Sequence, residues 1–187
     1  AESWWPSEAA LSAVLESAEG RRGLTLLAEA QAEIADPALS PLWLAHEYPQ
    51  VATSPRRVVA GTRTGIVKVH FALRHREGLS EAQAQTYWLT RHGPLVRSHA
   101  PVRGALAYCQ VHRTPSPLTA ELAAIFGVPA GDCIGHAEAW FDRSLPRIGP
   151  EADAAKAAAI ADERNFIDWS RSSFLAGKER VFVDRDW

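Results

Sequence analysis

The sequence predicts an α+β fold, a ferredoxin-like βαββαβ domain preceded by a partial (βαβ) repeat of the same unit. Three observations predict it. Apolar and polar residues alternate over three separate stretches, helical spacing fills the gaps between them, and an N-terminal segment reads like part of the domain a second time.

The first stretch, 66–73, sets Val67, Val69, Phe71 and Leu73 on one face and Lys68, His70 and Ala72 on the other, as a half-buried strand does. Ser80 and Gln83 form a capping box for a helix carrying Ala84, Trp88 and Leu89. His92-Gly93-Pro94 stops or kinks that helix, and the chain resumes over 95–99. Residues 105–113 alternate again, with Ala105, Ala107, Cys109 and Val111 against Leu106, Tyr108, Gln110 and His112.

After Pro115-Ser116-Pro117, Leu118, Leu122 and Ile125 follow helical spacing to Gly127, a short insertion. The third strand, 133–141, sets Cys133, Gly135, Ala137, Ala139 and Phe141 against Ile134, His136, Glu138 and Trp140. Pro150 opens an alanine-rich helix through about 167, and 178–183 reads as the last strand. In this order the first strand neighbours the third, and the third the second.

The opening Ala1-Glu2-Ser3-Trp4-Trp5 reads like Ala137-Glu138-Ala139-Trp140-Phe141, and 36–45 reads like 168–176. Residues 1–52 are therefore expected to be the β-α-β second half of an earlier copy, 53–65 a linker, and 66–184 the complete domain. The chain has no methionine, so Ala1 is expected not to be the translated start and the rest of the earlier copy to lie upstream.

Composition narrows the function. With 187 residues, 47% hydrophobic and 22% charged, the chain is globular in character, and a net charge of -2 gives no basic field for nucleic acid or an anionic membrane. The longest apolar stretch is interrupted by Lys156 and is too short to cross a bilayer. No basic segment leads into an apolar one at the N-terminus, so a cytoplasmic location is expected. Cys109 and Cys133 form neither a disulfide framework nor a metal pair. There is no glycine-rich phosphate loop and no G-x-S-x-G elbow, which sets aside nucleotide-driven and serine-hydrolase chemistry.

Leu79-Ser80 to Tyr87-Trp88, Arg91-His92-Gly93-Pro94-Leu95-Val96, Tyr108-Cys109-Gln110-Val111-His112, Ala137-Glu138-Ala139-Trp140-Phe141-Asp142 and Phe166-Ile167-Asp168 to Arg171-Ser172 come in a distinctive order. That series, over roughly residues 66 to 184, resembles the EthD domain family. The resemblance implies the dimeric α+β barrel superfamily, in which two ferredoxin-like sheets pack face to face in a homodimer or an intrachain pseudo-dimer. It also implies small-molecule chemistry, since that superfamily includes cofactor-free decarboxylases, dehydratases, cyclases and oxygenases of aromatic polyketides, with haem-handling enzymes beside them.

If the apolar set of every strand packs on the helices, the polar sets converge on the other face. His112, His136, Glu138 and His70 are then the acid-base candidates, because imidazole titrates near neutral pH and a carboxylate neighbour tunes it. Tyr108, Gln110, Trp140, Lys68 and Trp88 are the substrate-binding candidates. His92 flanks the helix kink and faces the space between helix and sheet, where Ala107, Gly135, Ala137 and Ala139 are small. It becomes the better candidate if the strand register is off by one residue.

The same residues also fit a hydrogen-bonded network without turnover, and His92 a helix-terminating cap. Imidazoles on adjacent strands with a carboxylate are a ligand set for zinc or iron, but strand-borne ligands lack a diagnostic spacing, so no metal and no cofactor is assigned. Asp168 and Arg171 are expected to tie the helix end to the last strand. The expected function is a cofactor-independent lyase or isomerase of the decarboxylase, dehydratase or cyclase type, acting on a small hydrophobic or aromatic, polyketide-like oxygenated compound. The alternatives are a non-catalytic binding or scavenging protein and a metal- or haem-dependent barrel enzyme.

Overall fold

The computed structural model describes residues 1–54, 57–145 and 147–183. Pro55 and Arg56 of the expected linker, and Asp184 at the expected domain end, lie outside the described residues. The elements in chain order are α1 (Glu8–Glu16), α2 (Ala18–Ala32), β1 (Ala45–Ala52), β2 (Ile66–Leu73), α3 (Glu81–Tyr87), α4 (Gly93–Arg103), β3 (Ala105–Arg113), α5 (Leu118–Phe126), β4 (Gly135–Asp142), α6 (Pro150–Glu163) and β5 (Ser173–Gly177). The chain divides into two compact units, Ala1–Leu44 with Thr114–Asp132, and Ala45–Arg113 with the chain from Cys133 onward.

The first unit is helical. Ser7 accepts a hydrogen bond from Ala10 N and Ser17 one from Gly20 N, so each serine caps the helix that follows it. Leu11, Leu15 and Leu122 are buried together, with Leu24, Leu42, Leu44, Leu118, Ile125 and Phe126 packed around them. The first strand expected at residues 1–5 is not there: no regular structure precedes α1, and the segment runs α1, α2, then β1. The likeness of residues 1–5 to 137–141 is one of composition, while the leucine spacing and two serine caps that follow impose helix.

The second unit carries a five-stranded antiparallel sheet in the order β1-β3-β4-β2-β5. Its last strand is β5, not 178–183, because Ser173–Gly177 pairs with β2 from Ala72 back to Lys68, whereas Glu179 makes a single bridge to Gly61. Helix α6 stops at Glu163, short of 167, and Phe166 and Ile167 turn into the core. Residues 58–61, read as linker, are packed: Ala60 is fully buried against Cys109, Val111 and Trp140. Asp168 and Arg171 do pair, at 2.7 Å, and Arg171 also donates to His75 O just after β2.

The helix-side core joins Phe71 and Leu73 of β2 to Ala84, Trp88, Phe166 and Ile167. The expected break at His92-Gly93-Pro94 is instead one widened turn, Trp88–His92, through which α3 runs on into α4. A π turn bonds residue i to i+5, here Gly93 N to Trp88 O, and Pro94, which has no N–H to donate, follows directly in the first turn of α4. Gly93 is also required by closeness. A Cβ there would lie 2.7 Å from Gln50 Oε1 and 3.0 Å from Gln110 Nε2.

Register decides which side each strand residue faces. Strand β4 pairs with β3 as Cys109↔Glu138, Val111↔His136, Tyr108↔Ala139, Gln110↔Ala137 and His112↔Gly135. Directly opposed residues share a face, so Tyr108, Gln110 and His112 look towards the helices and not towards His136 and Glu138. The alternation within β3 is as expected, but the face is reversed. Strand β3 lies between β1 and β4 and Tyr108 through His112 are all buried, so neither of its faces stands out as the apolar one. The small set, Ala107, Cys109 and Val111, goes to the face of Trp140 and Ala60, and the set bearing hydrogen-bonding groups goes under Trp88.

Gly135 makes that pairing possible. Its φ is +139°, and a Cβ there would stand 2.0 Å from Val111 O, a backbone atom. Gly135→Ala is expected to cost about 2–4 kcal/mol through clash and backbone strain. The cost should be read as a lower urea midpoint at unchanged slope; an unchanged midpoint contradicts the tight β3–β4 approach.

Candidate functional site

The register separates the ten residues singled out by sequence into two groups of five. On the helix side lie Trp88, His92, Tyr108, Gln110 and His112; on the other face lie Lys68, His70, His136, Glu138 and Trp140. The single cavity expected for Tyr108, Gln110, His112, His136 and Glu138 is therefore corrected: the sheet stands between the two sets. His92 lies on the helix side with the β3 set, while His136 and Glu138 keep to the other face.

On the helix side a chain of hydrogen bonds starts at His112. Its Nε2 is 3.0 Å from Gln110 Oε1, and Gln110 Nε2 donates to Trp88 O at 2.9 Å, at the mouth of the widened turn. The Trp88 ring stacks on His112 with centroids 4.4 Å apart and donates from Nε1 to the Tyr108 hydroxyl at 3.0 Å. Burial brings the His112 imidazole down to about 4, which makes it neutral at physiological pH. Burial also pushes the Tyr108 phenol up, so that group is a proton donor and not a base.

The widened turn aims His92 at the end of α6. His92 Nδ1 is 2.8 Å from Asp162 Oδ2, and Asp162 Oδ1 accepts from the Tyr87 hydroxyl at 2.8 Å. Since a carboxylate only accepts, the ring proton belongs on Nδ1 and the lone pair on Nε2. Burial holds His92 below its usual range, against the raising pull of Asp162. On its Nε2 side, Glu163 Oε1 stands 3.8 Å away, too far for a direct bond but close enough for one oxygen to touch both.

Glu163 is the abnormal group of the site. Burial raises its carboxyl to about 7, with Arg103 opposing and Asp162 reinforcing. Its Oε2 is buried without a hydrogen-bond partner among the described residues. The arrangement thus holds a neutral imidazole with an available lone pair beside a carboxyl that is protonated up to about neutral pH, a base and an acid within one bridging atom.

Asp162 and Glu163 were missed from sequence. One signal for them exists: two acids end an alanine-rich helix, where the macrodipole disfavours negative charge. A site that holds one of them protonated removes part of that conflict.

The other face is an ionic cluster. Lys68 Nζ lies 2.5 Å from Glu138 Oε1 and 3.5 Å from Glu179 Oε1, and it sits over the Trp140 ring at 5.0 Å. His136 Nε2 is 3.4 Å from Glu138 Oε1, and the His70 and His136 rings stack at 4.2 Å. Glu179 Oε2 accepts from Trp140 Nε1 at 2.8 Å and Ala60 N at 2.6 Å, which anchors the 58–61 segment across this face.

Against known proteins, the EthD domain model matches residues 76–170. A solved structure described as an ethyl tert-butyl ether D (EthD) family protein, from Bacillus halodurans C-125, is 15% identical, covering 62% of this chain and 99% of its own at a TM-score of 0.41. No curated protein matches the chain. No described helix is long and apolar enough to cross a membrane.

The raised Glu163 pKa predicts a pH-dependent stability difference. The native state holds the proton more tightly than the unfolded chain, so this group's contribution is full below about 4.5 and is lost as pH rises to about 7. His92 and His112, both lowered, act in the opposite direction below 6.5, so the comparison must be with a variant. Glu163→Gln is expected to gain on the parent across pH 4.5–7, by on the order of 2–3 kcal/mol at pH 7. Urea melts at pH 4.5 and 7.5 check it, and a constant difference contradicts the shift.

Proposed function

The chain belongs to the EthD domain family, and from that premise we propose that it is a lyase or isomerase working by acid-base chemistry without a cofactor. Its substrate is a small hydrophobic or aromatic oxygenated compound of polyketide type. The proposal includes a ferredoxin-like reading of residues 66–184, assembly as a homodimer or intrachain pseudo-dimer, and a cytoplasmic location.

The observation that carries it is the His92–Asp162 pair with Glu163 across from the ring's basic nitrogen. Asp162 orients His92 and fixes the tautomer. Nε2 then takes a proton from a substrate carbon next to a carbonyl, or from a hydroxyl. The Glu163 carboxyl, kept protonated by burial, gives its proton to the oxygen on which charge develops. Tyr108 and Trp88, bonded to each other and buried on the same side of the sheet, form part of the packed wall behind the site.

The alternative, binding or scavenging without turnover, is favoured by how deeply His92 is buried, at 4% exposure. A panel of β-keto acids and hydroxy ketones separates the two readings. Turnover is expected in the parent chain, with kcat/KM lowered about 10²–10⁴-fold in His92→Ala. Glu163→Gln should lose the limb of the pH profile that falls near 7. Turnover that His92→Ala leaves intact contradicts this site; saturable binding with no turnover favours the scavenger.

A further inference from the structure

We propose that His70, His136 and Glu138, on the sheet face away from His92, form a binding site for a divalent transition-metal ion such as zinc. The inference does not rest on the acid-base reading. Strands β2 and β4 pair with His70 directly opposite Glu138, and His136 lies two residues from Glu138 on the same face. The sheet therefore places two imidazoles and a carboxylate side by side, and their ligand atoms all lie within 4.8 Å of one another.

The dimensions suit a small ion. Two donors each about 2.0–2.1 Å from a tetrahedral centre are about 3.3–3.4 Å apart, and His136 Nε2 stands 3.4 Å from Glu138 Oε1. Two imidazoles with one carboxylate is a donor set for zinc and its first-row neighbours.

Lys68 is the competitor. Its ammonium, 2.5 Å from Glu138 Oε1, supplies the positive charge this carboxylate needs in the metal-free chain. Glu179, 3.5 Å from Lys68 Nζ and held in place by Trp140 and Ala60, is a second carboxylate that can keep the ammonium when an ion takes Glu138. The site thus exchanges one cation for another without leaving a buried negative charge unpaired.

The test uses the full chain, stripped with chelator and titrated with zinc chloride by calorimetry, with cobalt(II) absorption as a second readout. The parent should bind one zinc per chain and show cobalt bands of nitrogen ligation. His70→Ala and His136→Ala should each weaken zinc about tenfold or more. Lys68→Met, which removes the competing ammonium, should tighten it about tenfold. Where an alanine variant fails to fold, Glu138→Gln, which keeps the side-chain shape, gives the same reading. Absence of saturable one-to-one binding, affinity unchanged in the ligand variants, or weaker binding in Lys68→Met overturns the proposal.

Discussion

The alternation of side chains across an antiparallel sheet is the constraint on which the rest of this structure depends. Once Cys109 lies opposite Glu138 and Gln110 opposite Ala137, each polar side chain of the central strands is committed to one of two compartments. The polar residues of β3 serve the helix side. Those of β2 and β4 serve the other.

Everything on the helix side then follows from how closely α4 approaches the sheet. Gly93 leaves room for Gln50 and Gln110, which a Cβ there would crowd, and the widened turn before it leaves Trp88 O where Gln110 can donate to it. That turn sets His92 against Asp162 rather than into solvent. Burial does the electrostatic work: it lowers His92 and raises Glu163, so both groups are neutral in an overlapping pH range and proton exchange between them through a bound oxygen requires no large separation of charge beforehand.

Much of this was legible in the residues. The bounds of β2 and β3, the Ser80–Gln83 capping box and the order of the elements from β2 to α6 follow from alternation, capping and turn chemistry, all local properties, whereas the pairing of β1 with β3, from a segment read as part of another copy, does not. The face of β3 was not legible, because its two sets are both buried and differ in hydrogen-bonding partners that only the fold supplies. The placement of β5 depends on pairing with β2, a non-local choice between two neighbouring apolar runs. Asp162 and Glu163 carry no motif of their own; their role comes from where the end of α6 meets His92. The N-terminal likeness misled because five residues matched in composition without the flanking periodicity of a strand.

The central claim is that His92 is a neutral imidazole with its proton on Nδ1 and a basic Nε2 beside Glu163. Nitrogen-15 correlation spectra of the histidine rings, assigned with a His92→Gln variant, test it directly across pH 4–9. The account predicts that at pH 7 the His92 ring is neutral with its proton on Nδ1, and that it becomes charged only below its ordinary value of 6.5. A charged ring at pH 7, or a neutral ring with its proton on Nε2, would contradict the account.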